Sequence, residues 1–254
     1  MQEFRKEVLT VGDVAYLIDA STLKIDTSYE NVYALIDASK KYDFGCAFAW
    51  PAYSKMMGEA LKGTNTAFGT SLSFPSGQEP THIKVAQADY FVSLGADEVD
   101  MVMNVGWLKS KKYKEVTEDI AAVKKACGKT SLKVIIEAML CDDDQITSAC
   151  KCVMDGGADY VKSGTGFSAA PTTLHHVALM KNTIGENIKL KVAGGVRDLE
   201  TMMMMYKIGA NRFGIGLASS ISIVEEAMKL PGGVVDLKTV EVKDSDKLHL
   251  PSEY

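Results

Sequence analysis

Short apolar runs alternate along this chain of 254 residues with longer stretches in which apolar residues recur every three or four positions. The short runs have the length and the β-branched content of buried strands, and the longer ones have the period of amphipathic helices. The runs predict eight strands, at residues 14–18, 45–49, 67–72, 98–103, 133–136, 159–162, 189–193 and 211–214. Because a helical stretch follows each strand, the pattern predicts a closed (β/α)8 barrel, the TIM-barrel fold, in a single α/β domain. We assign residues 1–229 to the barrel and expect 230–254 to form a partly ordered C-terminal tail of the same domain, because glycine and proline interrupt its periodicity.

A short motif recurs before three of the predicted strands. Gly95-Ala-Asp-Glu-Val-Asp100, Gly157-Ala-Asp-Tyr-Val-Lys162 and Gly209-Ala-Asn-Arg-Phe-Gly214 each place a helix-ending glycine and a turn ahead of a strand. The sixth residue of each copy falls at or inside the strand near its carboxyl end, and in the first two copies it is ionisable. Reacting groups of α/β barrels lie at this end of the strands, so Asp100 and Lys162 are candidates for one site.

Lysine occupies the carboxyl-terminal part of two successive predicted strands, at Lys162 and Lys191. An isolated lysine is usually a surface residue, but the repetition one βα unit later indicates that the two ammonium groups face each other. A free lysine with a pKa of about 10.4 is neutral in roughly one molecule in 2500 at pH 7, so a nucleophilic lysine needs a lowered pKa. A second ammonium about 4 Å away supplies on the order of 4 kcal/mol at an effective dielectric of 20, close to the roughly 4.6 kcal/mol that a pKa of about 7 requires. Two lysines that clamp a phosphate would need no such change, and both roles stay open at this point.

Glycine-rich turns follow the last three predicted strands. They are Gly164-Thr165-Gly166, Gly194-Gly195-Val196-Arg197 and Gly214-Ile215-Gly216. Loops after the seventh and eighth strands of such barrels commonly bind phosphate through backbone N–H groups and the N-terminus of a short extra helix. Residues 219–228 are the candidate for that helix. Arg197 would add a positive charge, with a structural salt bridge as the equal alternative.

Composition and charge exclude several classes of protein. The formal net charge of −5 and the scattered lysines give no basic surface for nucleic acid. The charged first residues lack the apolar segment of a signal peptide and no apolar run of 18 residues occurs, so we expect a cytoplasmic protein without a membrane partner. The five cysteines form no CxxC pair, and neither they nor the four histidines show metal-ligand spacing, so no metal is expected. No GxGxxG or GxxxxGK[ST] motif indicates a dinucleotide or nucleoside triphosphate, and we expect no cofactor.

Five segments that span nearly the whole chain together resemble the deoxyribose-phosphate aldolases, which are class I (Schiff-base) aldolases on a TIM barrel. They are Leu17-Ile-Asp-Ala-Ser-Thr-Leu23, Gly95-Ala-Asp-Glu-Val-Asp-Met-Val-Met-Asn104, Leu132-Lys-Val-Ile-Ile-Glu137, Asp159-Tyr-Val-Lys162 and Lys191-Val-Ala-Gly-Gly-Val-Arg197. The resemblance implies that Lys162 forms the Schiff base, that Lys191 lowers its pKa and that Asp100 relays protons. It also implies a place in the site network for Asp19, and for the terminal Tyr254 a role in protonating the enamine. Family members use no metal and are often dimers, so a homodimer is an expectation for this chain.

Candidate contacts to the substrate and its phosphate lie in the three glycine-rich turns. They are Ser163, Thr165, Gly166, Gly194, Gly195, Val196, Arg197, Gly214 and Gly216. Here the chain departs from the family pattern, because Gly164, Gly216 and Leu217 stand where serine hydroxyls would be expected, Phe48 replaces the usual cysteine and Ala138 the usual threonine. We therefore expect cleavage of 2-deoxy-D-ribose 5-phosphate to acetaldehyde and D-glyceraldehyde 3-phosphate, with a weakened preference for the phosphate. The alternatives are the same lysine chemistry on a different or unphosphorylated hydroxyaldehyde or deoxy sugar and, more remotely, a non-catalytic sugar-phosphate-binding barrel.

Overall fold

The computed structural model describes residues 5–243 and contains a closed barrel of eight parallel strands. The described residues contain ten strands, of which β2 to β9 form the barrel: β1 (Val8–Thr10), β2 (Ile18–Thr22), β3 (Cys46–Ala49), β4 (Ala67–Leu72), β5 (Glu98–Val102), β6 (Ser131–Ile135), β7 (Tyr160–Lys162), β8 (Lys189–Ala193), β9 (Arg212–Gly216) and β10 (Val234–Asp236). Strands β2 to β9 pair in chain order, and β9 pairs with β2 to close the ring. The predicted TIM-barrel fold is confirmed.

Helices surround the barrel. They are α1 (Val11–Tyr16), α2 (Tyr29–Tyr42), α3 (Ser54–Leu61), α4 (Thr81–Ser93), α5 (Val105–Lys109), α6 (Tyr113–Cys127), α7 (Asp143–Asp155), α8 (Leu174–Ile184), α9 (Leu199–Ile208) and α10 (Leu217–Lys229), with short 3₁₀ helices at Pro51–Tyr53, Ala138–Leu140 and Pro231–Gly233. The main apolar core lies between these helices and the outer face of the barrel, where the four methionines at 202–205 are all buried. Within residues 5–243, no helix has both the length and the apolar character that crossing a membrane requires.

The first barrel strand differs from the prediction. Residues 14–18 were expected to form it, but α1 covers Val11–Tyr16 and β2 begins only at Ile18. The helix starts with a capping box, in which Thr10 Oγ1 accepts from the N–H of Asp13 and the Asp13 carboxylate accepts from the N–H of Thr10. These two bonds satisfy N–H groups that a helix start leaves unpaired. The other seven strands lie within two residues of their predicted bounds.

The last described segment returns to the carboxyl-terminal end of the barrel strands. After α10, β10 pairs antiparallel with β1 at the opposite, amino-terminal end. From there the chain runs along α9, where Lys207 Nζ in the last turn donates to the carbonyl oxygens of Leu237 and Val240 at 3.0 and 2.7 Å. Lys243 then forms an ion pair of 2.5 Å with Glu200 in the first turn of α9. Because α9 starts where β8 ends, residue 243 lies at the carboxyl-terminal end of the strands. The role of residues 230–254 as a tail of this domain stays a prediction.

Candidate active site

Four charged side chains that the sequence singled out meet inside the barrel. Lys162 is the last residue of β7, Lys191 and Asp100 lie in the middle of β8 and β5, and Asp19 lies near the start of β2. All four side chains are at most 7% exposed, and all four line one open cavity of about 1330 Å³. Branched apolar residues normally fill a TIM-barrel interior, so this charged cluster is the main candidate for a reaction centre.

Asp100 joins the two lysines. Its Oδ2 accepts from Lys162 Nζ and from Lys191 Nζ, both at 2.7 Å. Its Oδ1 has no hydrogen-bond partner among residues 5–243. Burial alone would raise the pKa of Asp100, but the charges of Lys162, Lys191 and Lys133 outweigh it and hold the pKa below its usual value. The Asp100 carboxylate is therefore ionised and bonds to both amines through Oδ2, while Oδ1 has no partner in the described residues.

The pKa of the Lys162 amine is lowered to about 8. Burial is the largest cause, Asp100 opposes it, and the charge of Lys191 lowers the pKa further. The effect of the neighbouring ammonium is thus present, but it is secondary to desolvation. With a pKa of about 8, about one amine in ten is neutral at pH 7, compared with roughly one in 2500 for a free lysine. Lys162 is therefore both buried in the cavity wall and available as a nucleophile.

A second layer of charges lies nearer the amino-terminal end of the strands, and of its four members only Asp19 was predicted. We call Asp19, Glu98, Lys133 and Arg212 the lower ionic layer. Lys133 Nζ lies 2.9 Å from Asp19 and also bonds to Glu98, while Arg212 bonds to Asp19 and approaches Glu98 at 3.6 Å. Burial would raise the pKa of Asp19, but Arg212, Lys133 and Lys191 hold it well below its usual value. Asp19 in turn lies 2.6 Å from Lys191 Nζ, so the lower ionic layer fixes Lys191 from below.

The glycine-rich turns border the same cavity. The residues of these turns that line it are Thr165, Gly166, Gly194, Gly195, Val196, Arg197, Gly214, Ile215 and Gly216. The helix expected at residues 219–228 is the last barrel helix, α10, rather than an extra one, and it begins directly after its N-cap Gly216. The first N–H groups of a helix have no intrahelical partners, and α10 meets the cavity through Leu217, Ala218 and Ser219. The cavity thus has a helix N-terminus of the kind that binds anions.

Ser163 is placed differently from the other residues of the turns. It is fully buried, and it is absent from the cavity wall. Its Oγ accepts from the N–H of Ala193 at 3.0 Å and lies 2.9 Å from Thr172 Oγ1. These contacts tie the end of β7 to β8, the two strands that carry the lysines. These contacts give Ser163 a structural role, and its expected contact with the substrate stays a prediction.

Three positions show how the cavity wall accommodates the departures from the family pattern. A side chain at Gly164 would collide with the methyl group of Met139, so Met139 occupies the space of the usual serine. The ring of Phe48 packs over Gly69, where any Cβ would collide with it. A Cβ at Gly216, by contrast, would meet nothing within 4 Å. Met139 therefore fills the space of the serine that is missing at position 164, whereas the space at Gly216 is open.

Glu137, which was not predicted as a site residue, holds the loop that follows Lys162. Its Oε2 accepts from the N–H of Thr165 at 3.0 Å, and its Oε1 accepts from Ser168 Oγ at 2.6 Å. Its backbone has φ 49° and ψ 56°, in the left-handed region that is uncommon for residues with a Cβ. A buried carboxylate on the β6 side of the cavity thus positions the turn after β7.

Three aromatic rings form an apolar wall at the rim of the cavity. Trp50, Phe74 and Phe167 pack edge to face, with ring centroids 5.4 to 6.1 Å apart. Phe74 and Phe167 line the cavity itself. Aromatic faces and edges of this kind pack against the carbon atoms of a small ligand. Tyr254, the remaining predicted site residue, lies outside the described residues.

Comparisons with known proteins agree with this geometry. A family model described as DeoC/LacD family aldolase matches residues 18–222. The chain is 41% identical over 216 residues to the deoxyribose-phosphate aldolase of Brevibacillus brevis, a match that covers 85% of this chain and 97% of that protein. It is 39% identical over 216 residues to the deoxyribose-phosphate aldolase of Clostridium tetani, covering 85% and 99%. The solved structure of an aldolase called QR15 is similar with a TM-score of 0.81 and 33% identity, over 85% of this chain and 96% of that one.

The barrel, with a buried charged cluster in an open cavity, defines the class as a TIM-barrel enzyme. The family match makes this specific, because it covers most of the barrel. The chain belongs to the DeoC/LacD family of aldolases.

Proposed function

We propose that the protein is a Schiff-base aldolase that reversibly cleaves 2-deoxy-D-ribose 5-phosphate to acetaldehyde and D-glyceraldehyde 3-phosphate. The observation that carries the proposal is the buried Lys162 amine, which has a pKa of about 8 and bonds to Asp100 in an open cavity. The relatives that match most of the chain are deoxyribose-phosphate aldolases. Fold, nucleophile and relatives therefore support one reaction.

The reaction divides into imine formation, bond cleavage and hydrolysis. In the cleavage direction neutral Lys162 attacks C1 of the open-chain aldehyde, and loss of water gives an imine whose protonated form withdraws electrons. Removal of the proton from the 3-hydroxyl lets the C2–C3 bond break, so C3 becomes the aldehyde carbon of D-glyceraldehyde 3-phosphate and the electron pair enters an enamine. Protonation at C2 and hydrolysis release acetaldehyde and restore the amine.

Asp100 is the group placed to move protons in these steps. It bonds to Lys162 through Oδ2, while Oδ1 is without a partner in the described part of the chain and can accept from a substrate hydroxyl or a water. Burial is the main cause of the lowered Lys162 pKa, and Lys191, 2.7 Å from Asp100, adds a positive charge that lowers it further. Asp19 contacts Lys191 from below, so we assign it a positioning role.

We assign the phosphate to the turns after β8 and β9. Gly194 and Gly195 have φ values of 90° and 96°, a region that favours glycine and lets the backbone come close to a ligand. Arg197 lines the cavity beside them, and the N-terminus of α10 faces it from the next turn. Backbone N–H groups and a helix N-terminus bind phosphate without serine hydroxyls.

Gly216→Ser is expected to strengthen the preference for the phosphorylated sugar. The position has open space for a side chain and a φ of −62°, so serine fits without strain. A hydrogen bond to a charged group is worth about 1.5–3 kcal/mol, so the ratio of kcat/KM for 2-deoxyribose 5-phosphate over 2-deoxyribose should rise roughly ten- to hundredfold. Gly216→Ala adds the same carbon without the hydroxyl and should leave the ratio unchanged. An unchanged ratio in the serine variant would place the phosphate elsewhere.

We also propose that the C-terminal residues act on the enamine through Tyr254. Residue 243 lies beside the first turn of α9, next to the turn that ends at Arg197. The chain continues for 11 residues, from 244 to 254, which can span up to about 36 Å, a reach that covers the mouth of the cavity.

Deletion of residues 244–254 should therefore slow exchange of the acetaldehyde methyl protons in D2O more than it weakens sugar binding. Tyr254→Phe, which keeps the length of the tail, should reproduce the slower exchange, and unchanged exchange in both variants would leave the tail without a role.

Incubation of the purified protein with 2-deoxyribose 5-phosphate tests the main proposal. We expect acetaldehyde and glyceraldehyde 3-phosphate in equal amounts, and borohydride should fix a reduced substrate adduct that mass spectrometry detects on one lysine. A parallel series of unphosphorylated deoxy sugars and hydroxyaldehydes tests the alternative of the same chemistry on another substrate. A barrel that only binds sugar phosphates would give neither product nor adduct.

Location and assembly are separate proposals. We infer a cytoplasmic protein, supported by five cysteines that are all unpaired thiols. The partners of the proposed reaction are small sugar phosphates and aldehydes. A homodimer stays a prediction of the family resemblance, and sedimentation of the purified chain measures it.

A further inference from the structure

Ser71 is a buried polar residue of the cavity wall that the mechanism above does not use. It lies in β4, is 2% exposed, and lines the cavity together with Asp100 and Lys162. Its Oγ has no hydrogen-bond partner among residues 5–243. Because leaving a buried polar group unsatisfied is unfavourable, a hydroxyl in this position is best explained by a ligand that bonds to it.

The neighbour of Ser71 in the barrel wall is Asp100. The two residues are register partners in the parallel pair of β4 and β5, and since both line the cavity, their side chains project side by side into the barrel. Asp100 Oδ1 also has no partner within the described range. The hydroxyl of Ser71 and this carboxylate oxygen can therefore bind one small polar group that lies between them.

We propose that Ser71 Oγ and Asp100 Oδ1 bind a hydroxyl on C2 of the substrate, so that the enzyme also accepts 2-hydroxyaldehydes such as glycolaldehyde as donors. The inference rests on the proposed Schiff-base function. In the imine, C2 is bonded to the carbon that Lys162 Nζ holds, and Nζ lies 2.7 Å from the Asp100 carboxylate, which brings a C2 hydroxyl beside that carboxylate. A hydroxyl both donates and accepts, which matches a carboxylate oxygen on one side and a serine hydroxyl on the other.

The additional reaction balances without a further reactant. Glycolaldehyde and the Lys162 amine form an imine and release one water, and loss of a proton from C2 gives the enamine. C2 then forms a bond to the aldehyde carbon of glyceraldehyde 3-phosphate, whose oxygen takes up a proton. Hydrolysis consumes one water and releases a pentose 5-phosphate that carries a hydroxyl on C2. A carboxylate oxygen has more than one lone pair, so Asp100 can hold the C2 hydroxyl and still take part in proton transfer.

Donor preference in the wild type and in Ser71→Ala tests the proposal. Acetaldehyde, glycolaldehyde and propanal are compared as donors with glyceraldehyde 3-phosphate, and propanal carries a methyl group where glycolaldehyde carries its hydroxyl. We expect the wild type to use glycolaldehyde ahead of propanal. We expect Ser71→Ala to lower the glycolaldehyde-to-acetaldehyde ratio of kcat/KM about five- to tenfold, the effect of one hydrogen bond to a substrate hydroxyl.

Ser54→Ala is the matched control. Ser54 is equally buried, but its hydroxyl lies 3.1 Å from Thr70 Oγ1 outside the cavity wall, so its removal should leave the donor ratio unchanged. The same ratio in Ser71→Ala and the wild type, or a wild type that prefers propanal to glycolaldehyde, overturns the inference. A wild type that does not use acetaldehyde at all would instead refute the aldolase function, so the two failures are distinguishable.

Discussion

Lys162→Ala is expected to abolish both the cleavage of 2-deoxyribose 5-phosphate and the borohydride-trapped adduct. Lys191, the other lysine at the centre of the cavity, is held in ion pairs with the carboxylates of Asp19 and Asp100 at 2.6 and 2.7 Å. It therefore cannot replace the nucleophile. Because removal of a covalent nucleophile costs several orders of magnitude, we expect kcat to fall at least about a thousandfold. Turnover is measured by the release of glyceraldehyde 3-phosphate, and the adduct by peptide mass spectrometry.

The variant should remain folded, because Asp100 keeps Lys191 as its partner when Lys162 is removed. Thermal unfolding of the variant checks this point. Lys24→Ala serves as the control, since Lys24 is an exposed lysine that lines the same cavity, and it should leave the adduct in place. An adduct on a lysine other than Lys162 in the wild type would contradict the assignment.

The barrel was predictable from the sequence because its strands have clear boundaries. Buried parallel strands appear in the sequence as short apolar runs. A glycine with positive φ ends the helix before a strand, as at Gly95 with φ 80° and at Gly157 with φ 77°. The first strand was misplaced because residues 14–18 are apolar enough for either element. The deciding signal was local, in the reciprocal bonds of Thr10 and Asp13.

The lower ionic layer could not be predicted in the same way. Glu98, Lys133 and Arg212 each lie in a barrel strand, where a charged residue is itself unusual, and this was the available signal. Which charges meet, however, depends on the closure of the barrel, which brings β9 beside β2 and Arg212 onto Asp19. The main cause of the lowered Lys162 pKa is likewise burial, a property of the folded chain and not of the spacing of two lysines.

The departures from the family pattern were visible in the sequence, but their consequences were not. In the sequence, Gly164 indicates only the loss of a hydroxyl, but in the structure Met139 fills the same space. Ser71 is one of several small residues in β4, and only its register with Asp100 makes it a candidate for substrate recognition. Packing and register therefore decide what a substitution in the cavity wall means.

Lys191→Met is expected to shift the pH dependence of kcat/KM toward alkaline pH. The neutral amine of Lys162 is the reacting form, so the rate rises as the pH passes through its pKa of about 8. The charge of Lys191 adds to burial in lowering that pKa, and its removal therefore raises the pKa. Activity near pH 7 should fall about ten- to hundredfold while it recovers at higher pH. The fold should persist, because Asp19 keeps Arg212 and Lys133 as partners.

Asp100→Asn should change the pKa of Lys162 in the direction opposite to Lys191→Met. Asp100 raises the pKa of Lys162, so an amide of the same shape should lower that pKa and move the rising limb of the imine-trapping rate toward acidic pH. Turnover should fall at every pH, because the group that moves protons is lost. The trapping rate with borohydride, measured between about pH 5 and 10, reports the Lys162 pKa in the wild type and both variants. If Lys191→Met does not shift this rate toward alkaline pH, the charge of Lys191 has no part in lowering the pKa of Lys162.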